Sequence, residues 1–196
     1  MQPFVRHTGT AAPLRLANVD TDQIIPARFC VGVSRTGYGR ALFHDKRADP
    51  GFALNDPAYR DATVLVAERN FGCGSSREMA VWALQEHGFR AVLAPSFGDI
   101  FRGNSLKNGL LTVTLPADRI AWLLDLVEDQ PATPVTVDLE QQEVFAADAT
   151  LAFELDPEQR RRLLHGLDDI TLTLQHLDAI HAYETARRAT LPRLAR

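Results

Sequence analysis

The spacing of apolar residues changes around residue 70. Upstream, the run Thr63–Ala67 is apolar and rich in β-branched residues, which predicts a buried strand. Downstream, apolar residues recur at helical spacing, at Met79, Val81, Trp82 and Leu84. Two glycines, Gly72 and Gly74, lie between the two patterns. The pattern therefore predicts a strand, a glycine-rich loop and a helix that ends near His87-Gly88.

The same reasoning predicts the elements before and after this unit. We expect one or two strands within residues 4–17 with a turn at Thr8-Gly9-Thr10, a buried strand at 91–94 that closes a βαβ unit, and a short helix from Phe97 that breaks at Gly103-Asn104. Later elements are a strand at 110–115, an amphipathic helix at 117–129, antiparallel strands near 134–139, 143–146 and 151–155, a helix from 156 to Gly166, an extended segment at 171–174 and a last helix at 176–188. This order predicts an α/β fold.

Composition and charge narrow the class of protein. The chain has 196 residues, of which 45% are hydrophobic and 23% charged, enough for one substantial core. We expect a single domain over 1–196, with 157–196 as a mostly helical extension packed on it. A net charge of -4 gives no reason to expect nucleic acid or a membrane surface as a partner. No signal-peptide pattern or bilayer-length apolar run is present, so we expect a cytoplasmic protein.

The glycine-rich loop has the chemistry of an anion site. Ser75 or Ser76 suits a helix N-cap, and Arg77 would then lie in the first turn of the helix. Unpaired N–H groups at a helix N-terminus, beside an arginine fork, can hold an anion, although a plain structural cap is the alternative. The loop has neither a Lys-Ser/Thr pair nor a third glycine, which favours a small anion over a nucleotide.

Three other segments offer candidate functional groups. Residues 18–26 form a turn rich in Asn, Asp and Thr, in which Asp22 either points into a site or only caps the turn. Residues 28–47 show no clean period and contain four arginines, typical of a mobile recognition loop. Asn104 and Lys107 could face the same anion, or serve only as cap and surface residues.

Cysteine and histidine content argues against a metal centre on this chain. The two cysteines, Cys30 and Cys73, are too few for an iron–sulfur ligand set. The histidines His165, His176 and His181 have no matching ligands at metal spacing. We therefore expect this chain to bind no metal itself.

Five ordered motifs together resemble one family over the whole length of the chain. They are Asn18-Val-Asp-Thr-Asp-Gln-Ile-Ile-Pro26, Phe71-Gly-Cys-Gly-Ser-Ser-Arg-Glu78, Ala94-Pro-Ser-Phe-Gly-Asp-Ile-Phe101 with Lys107-Asn-Gly-Leu-Leu111, Gly166 through His176, and Ala179-Ile-His-Ala-Tyr-Glu184. The family is the small subunits of bacterial 3-isopropylmalate dehydratase, which are similar to the swivelling C-terminal domain of aconitase.

The resemblance implies a three-layer β/β/α swivelling domain that works with a large subunit, on which a [4Fe-4S] cluster is bound. The implied reaction is that of a hydro-lyase in leucine biosynthesis, which removes water from 2-isopropylmalate and adds it back to give 3-isopropylmalate. The open iron of the cluster would act as a Lewis acid, while a base removes the proton α to a carboxylate. Whether the isolated chain forms a homo-oligomer is left open.

The resemblance also implies roles for individual residues. By motif match, Ser75 is the catalytic base, while Ser76 and Arg77 bind a substrate carboxylate. Thr21 and Asp22 support the site, as does Gly74 in the loop. Arg28 or Arg35 would bind the second carboxylate, because residues 28–38 fall where the family has its substrate-recognition loop.

The chain departs from the family pattern at Met79 and at residues 29–33. Met79 stands where the family usually has a histidine after Ser-Ser-Arg-Glu, and residues 29–33 lack the basic residues frequent in the family's recognition loop. Methionine can pack but cannot donate a charged hydrogen bond. A related 2-hydroxy diacid, of the citramalate or dimethylmalate type, is therefore an alternative substrate. A non-catalytic anion-binding module is a further alternative.

Overall fold

The computed structural model describes residues 1–31, 35–74 and 77–187, which fold into a mixed α/β structure. Within these residues the strands are β1 (Arg6–Leu14), β2 (Val64–Ala67), β3 (Ala91–Ala94), β4 (Leu111–Thr114), β5 (Pro134–Asp138), β6 (Glu143–Ala146) and β7 (Ala149–Ala152). The helices are α1 (Thr21–Ile24), α2 (Glu78–His87), α3 (Asp99–Asn108), α4 (Ala117–Asp129), α5 (Pro157–His165), α6 (Asp169–Leu174) and α7 (Leu177–Ala186).

All described strands belong to one sheet with the order β4-β3-β2-β1-β5-β6-β7. The strands from β4 to β1 are parallel, and those from β1 to β7 are antiparallel. Strand β1 joins the two halves, because Arg6–Thr10 pairs with β5 and Ala11–Leu14 pairs with β2. The βαβ unit predicted around residue 70 is thus confirmed as β2, α2 and β3.

Two cores lie on opposite faces of the parallel strands. Because side chains alternate along a strand, Leu65 packs in the core with α2, whereas Val64 and Val66 pack in the core with α4. This second core also takes inward-facing residues from β5, β6 and β7. The structure is therefore an α/β fold, as expected. Its layers are the antiparallel strands, the parallel strands, and the elements packed with α2 on the other face.

Three sequence predictions of local structure are wrong. No turn interrupts β1 at Thr8-Gly9-Thr10; Gly9 is needed there because a Cβ would lie 1.9 Å from Thr63 Oγ1. Helix α3 continues through Gly103-Asn104 and ends before Gly109, which adopts the left-handed conformation. The segment predicted as extended at 171–174 lies in α6, because the Asp168 side chain caps this helix at Thr171 N over 2.7 Å.

The described parts of residues 28–47 are more ordered than an irregular loop. They contain short 3-10 turns at Ala27–Phe29, Gly39–Ala41 and Lys46–Ala48, and Tyr38, Leu42 and Phe43 are buried. Residues 32–34 lie outside the described part of the chain. The aromatic and aliphatic side chains thus pack this segment onto the α2 side of the sheet.

The chain after β7 contacts the rest of the protein through α5. Leu163 is fully buried, and its carbonyl accepts a hydrogen bond from Phe4 N at 2.9 Å. Arg160 donates to the carbonyl of Leu139 at 3.0 Å. No helix in the described ranges is long and apolar enough to cross a membrane.

Candidate active site at the carboxyl ends of the parallel strands

Loops that follow β1, β2 and β3 are joined by backbone hydrogen bonds at one edge of the sheet. Gly72 N donates to the carbonyl of Val19 at 2.7 Å, and Thr21 N donates to the carbonyl of Cys73 at 3.1 Å. Gly98 N donates to the carbonyl of Phe71 at 2.9 Å. The carboxyl ends of parallel strands are a usual place for ligand sites. The motifs singled out in the sequence therefore lie side by side at this edge.

Glycines make this close approach of loops feasible. Gly72 has φ +72°, and a Cβ there would lie 2.2 Å from Cγ of Phe101. A Cβ on Gly98 would lie 2.4 Å from the carbonyl oxygen of Gly72. Gly74 also has positive φ, +83°, and lies over Asp20. The loop geometry thus depends on packing against α3 as well as on the turn itself.

Helix α2 begins later than predicted. Arg77 is the N-cap residue, with extended φ and ψ, and it makes no side-chain cap hydrogen bond. The expectation that Ser75 or Ser76 caps the helix and that Arg77 lies in its first turn is therefore wrong. Because the backbone at Arg77 is extended, the first helical residue is Glu78. Ser75 and Ser76 themselves lie outside the described residues.

Arg77 forms an ion pair with Asp22. The Arg77 side chain is 26% exposed and that of Asp22 is 54% exposed, so the pair lies at the mouth of the loops rather than in the core. Asp22 is in the first turn of α1, a helix capped by the Asp20 carboxylate, which accepts from Gln23 N at 2.7 Å. Thr21, beside it, is buried. The structure therefore brings the predicted residues Thr21, Asp22 and Arg77 together.

Cys30 lies within the electrostatic reach of the same pair. Burial raises the pKa of the Cys30 thiol, while the charge of Arg77 lowers this pKa and that of Asp22 raises it. The net direction is upward, so the thiol is protonated at neutral pH. Cys30 thus acts here as a neutral neighbour of the charged pair.

The two arginines predicted to bind a second carboxylate have partners of their own. Arg28 pairs with Asp45, and its guanidinium carbon lies 4.9 Å from the ring centre of Phe29. Arg35 places its guanidinium carbon 5.7 Å from the ring centre of Trp82. A small hollow of about 180 Å³ between these segments is lined by Arg28, Phe29, Val31, Thr36, Gly37, Tyr38, Arg40 and Ala41. Arg28 therefore faces this hollow, whereas Arg35 lies against α2.

Sequence reasoning missed a row of polar and aromatic residues on α2. Glu78, Trp82 and Glu86 are spaced by four, so they share one helix face. The Asn108 side chain donates to Glu78 Oε1 at 2.7 Å and accepts from Trp82 Nε1 at 3.0 Å. The helical spacing of these residues was a usable signal, but the pairing with Asn108 is a tertiary contact that spacing does not reveal. Asn108 thus ties the start of α2 to the end of α3.

The residues present do not suit a resident metal cluster. Among residues 1–31, 35–74 and 77–187, no group of three or more His, Cys, Asp or Glu could hold a metal ion. The whole chain has two cysteines, fewer than an iron–sulfur cluster requires.

Family models and known proteins match this chain along most of its sequence. Residues 1–118 match the aconitase C-terminal domain family, residues 123–157 match LeuD_N, and residues 169–196 match the C-terminal domain of the 3-isopropylmalate dehydratase small subunit. The 3-isopropylmalate dehydratase small subunits of Acidothermus cellulolyticus and Thermobifida fusca are each 58% identical over 98% of both chains. That of Streptomyces coelicolor is 55% identical over 98% of both chains.

A solved structure extends the likeness to the fold. The crystal structure of 3-isopropylmalate dehydratase from Methanocaldococcus jannaschii is 27% identical, covers 92% of this chain and 99% of its own, and superposes with a TM-score of 0.68. On these matches, the chain belongs to the family of 3-isopropylmalate dehydratase small subunits.

Proposed function

We propose that this chain is the small subunit of a 3-isopropylmalate dehydratase, which converts 2-isopropylmalate to 3-isopropylmalate in leucine biosynthesis by loss and re-addition of water. The relatives that carry this name match 98% of the chain. The single structural observation that carries the proposal is the Arg77–Asp22 pair at the joined loops. It holds a guanidinium, the group best suited to grip a carboxylate, at the start of α2.

The proposal includes a large-subunit partner that carries a [4Fe-4S] cluster. The whole chain has two cysteines, fewer than an iron–sulfur cluster requires, which supports a cluster held by another chain. When bound, such a cluster supplies a Lewis acid for the leaving hydroxyl. We further propose a single cytoplasmic domain over 1–196 with 157–196 as a mostly helical extension. The contacts of α5 support the packing of the described part of this extension, and residues 188–196 lie outside the described part.

In this proposal, Ser75 takes the proton from the carbon next to a substrate carboxylate, while the hydroxyl leaves the neighbouring carbon. When water is added back, the hydroxyl joins the first carbon and Ser75 delivers a proton to the second. A serine alkoxide is a strong base that requires positive surroundings. Arg77 and the N–H groups at the start of α2 supply them, since the helix dipole is positive at this end. Gly74, at φ +83°, turns the chain into this segment.

Arg77 would also hold a substrate carboxylate together with Ser76. Its guanidinium has five N–H donors, so pairing with Asp22 leaves donors for a ligand. Asp22, fixed on α1 next to buried Thr21, keeps the guanidinium at the mouth of the loops. Arg28 or Arg35 would meet the second carboxylate from the neighbouring segment. These site roles are proposals that rest on motif position and on the observed contacts of the described residues.

The substrate alternatives centre on Met79. Its side chain is half-buried and packs against the core on the α2 side, so it contributes shape but no charge. A related 2-hydroxy diacid of the citramalate or dimethylmalate type is therefore the second candidate substrate. The retained Arg77–Asp22 pair favours catalysis over a purely anion-binding module.

Anaerobic reconstitution tests the proposal. The chain is combined with the large subunit from the same genome, its cluster intact, and interconversion of the two isopropylmalates is followed for the native chain and for Ser75→Ala. We expect turnover in the native complex and a loss of at least about 100-fold in the variant. A complex that assembles but ignores isopropylmalate would overturn the substrate assignment, and a panel of hydroxy diacids would then identify the substrate. No assembly at all would overturn the subunit proposal.

A further inference from the structure

The Glu86 carboxylate accepts hydrogen bonds from two backbone N–H groups of the neighbouring segment 37–39. Gly37 N donates to Oε1 at 2.7 Å and to Oε2 at 3.0 Å, and Gly39 N donates to Oε2 at 2.7 Å. Both donors are far from Glu86 in sequence, so these are tertiary contacts and not local capping. Two amides that converge on one anion form a nest, an arrangement that defines the conformation of the donating backbone.

The donating turn is shaped to fit this carboxylate. Gly37 has φ +99°, a conformation that other residues adopt only with strain. A Cβ on Gly39 would lie 2.9 Å from Cβ of Glu86, so the backbone of the turn touches α2. The glycines at 37 and 39 and the glutamate on α2 therefore act as one fitted contact.

One helical turn nearer the loops, Trp82 holds the same segment through its ring. The Arg35 guanidinium carbon lies 5.7 Å from the indole centre, and the Tyr38 ring lies 5.7 Å from it at 41°. Tyr38 is buried, whereas Arg35 is exposed. Since Asn108 fixes Trp82 through its Nε1, the surface on which Arg35 rests is itself held in place.

We propose that Glu86 is a positioning residue for substrate recognition, because it fixes the turn at 37–39 and thereby holds Arg35 against Trp82. Both Glu86 and Trp82 lie on α2, the helix that begins directly after Arg77. Helix α2 then sets the separation between two cationic groups, Arg77 at its start and Arg35 along its side. A diacid needs two such groups at a defined distance. The inference rests on the proposed function, because it assigns Arg35 to the second carboxylate of that substrate.

Hydrogen exchange on the isolated full-length chain tests the contact without any activity. In Glu86→Gln we expect the Gly37 and Gly39 amides to exchange at least about tenfold faster, because a neutral amide binds N–H groups more weakly than a carboxylate. Gly39→Ala should give the same result, since its methyl group would push the turn from α2. Glu158→Gln removes a carboxylate that pairs with Arg161 on α5, and it should leave both amides unchanged. Equal exchange in native and Glu86→Gln chains would overturn the proposal.

Kinetics of the reconstituted complex test the consequence for recognition. We expect Glu86→Gln to raise KM for isopropylmalate about tenfold with kcat within about twofold, the pattern of lost uniform binding. Arg35→Gln should raise KM similarly, and the double variant should be no worse than Arg35→Gln alone. Additive effects, or a fall confined to kcat, would contradict positioning through Arg35. An inactive native complex would overturn the proposed function instead, and hydrogen exchange would still decide whether Glu86 fixes the turn.

Discussion

The side chain of Asn108, at the last position of α3, donates a hydrogen bond to Glu78, at the first position of α2, over 2.7 Å. The same amide group donates to the carbonyl of Asn104 at 2.8 Å and accepts from Trp82 Nε1 at 3.0 Å. Gln85 Nε2 donates to the Asn108 carbonyl at 2.8 Å. Asn108 therefore joins the end of α3 to the first turns of α2, next to the candidate active site.

Replacing Asn108 by alanine should weaken this junction. The indole N–H of Trp82 and the Glu78 carboxylate would lose a partner at a half-buried site, so we expect a loss of about 1–3 kcal/mol in the free energy of unfolding. Chemical denaturation measures this loss, and Trp82 fluorescence should shift because its environment changes. Asn104→Ala is the control, since Asn104 gives its backbone carbonyl to the junction and alanine keeps that carbonyl. Equal stability of the two variants would contradict the role of the Asn108 side chain.

Arg77→Lys separates the role of charge from that of the planar fork. Lysine keeps the positive charge beside Asp22, but it cannot bind a carboxylate in the bidentate mode while keeping this ion pair. We therefore expect kcat/KM of the reconstituted enzyme for isopropylmalate to fall about 10- to 100-fold, with little change in unfolding free energy. Arg119→Lys, an exposed arginine paired with its neighbour Asp118, should leave kcat/KM unchanged. Full activity in Arg77→Lys would show that charge alone suffices.

Local sequence patterns predicted the central βαβ unit well because its signals agree. The run at 64–67 is apolar throughout, as a strand buried on both faces requires, and Gly88 ends α2 in the left-handed conformation. Segment 171–174 shows the opposite case. Its alternating Thr and Leu suggest a strand, but Asp168 caps it at Thr171 and forms an ion contact with the terminal amine of Met1. A contact between residues 1 and 168 cannot be read from local periodicity.

The candidate site was predicted by motif rather than by geometry. Motif order identified Asp22 and Arg77, which the structure pairs. The Glu86 contact with residues 37 and 39 was missed, because a glutamate on a helix carries no mark of a backbone partner nearly fifty residues away. Contacts between a side chain and a distant backbone group depend on the fold and therefore need the structure.

Gly72→Ala should be strongly destabilising. The residue has φ +72°, and the new Cβ would lie 2.2 Å from Cγ of Phe101, a buried ring. Strain and overpacking together predict a loss of about 2–4 kcal/mol in the free energy of unfolding. Gly103→Ala is a matched control inside α3, with nothing within 4 Å of its Cβ, and should stabilise the chain by up to about 1 kcal/mol. Denaturant unfolding of both variants checks the pair, and a neutral effect of Gly72→Ala would contradict the packing argument.

Half-buried histidines should make stability fall as pH decreases from neutrality. Burial, and then the charge of Arg47, lowers the pKa of His87 from its ordinary value of 6.5. Arg47 lies 3.5 Å from His87 Nε2 and donates to the carbonyl of Leu54 at 2.6 Å, so a charged imidazole would face a fixed guanidinium. Below pH 6.5 the unfolded chain takes up a proton that the folded chain resists, and this contribution to stability is lost as pH falls through the lowered pKa.

The size and origin of this pH effect can be measured by denaturation at a series of pH values between about 7.5 and 5. Each such histidine contributes a slope of at most about 1.4 kcal/mol per pH unit. The pKa of His7 is also lowered, by burial and then by Arg90, so His87→Gln should reduce the slope without abolishing it. His181→Gln, exposed on α7, should leave the slope unchanged. A slope that survives intact in His87→Gln would show that His87 takes up a proton as readily in the folded chain as in the unfolded chain. That result would contradict the effect of burial and of Arg47 on this histidine.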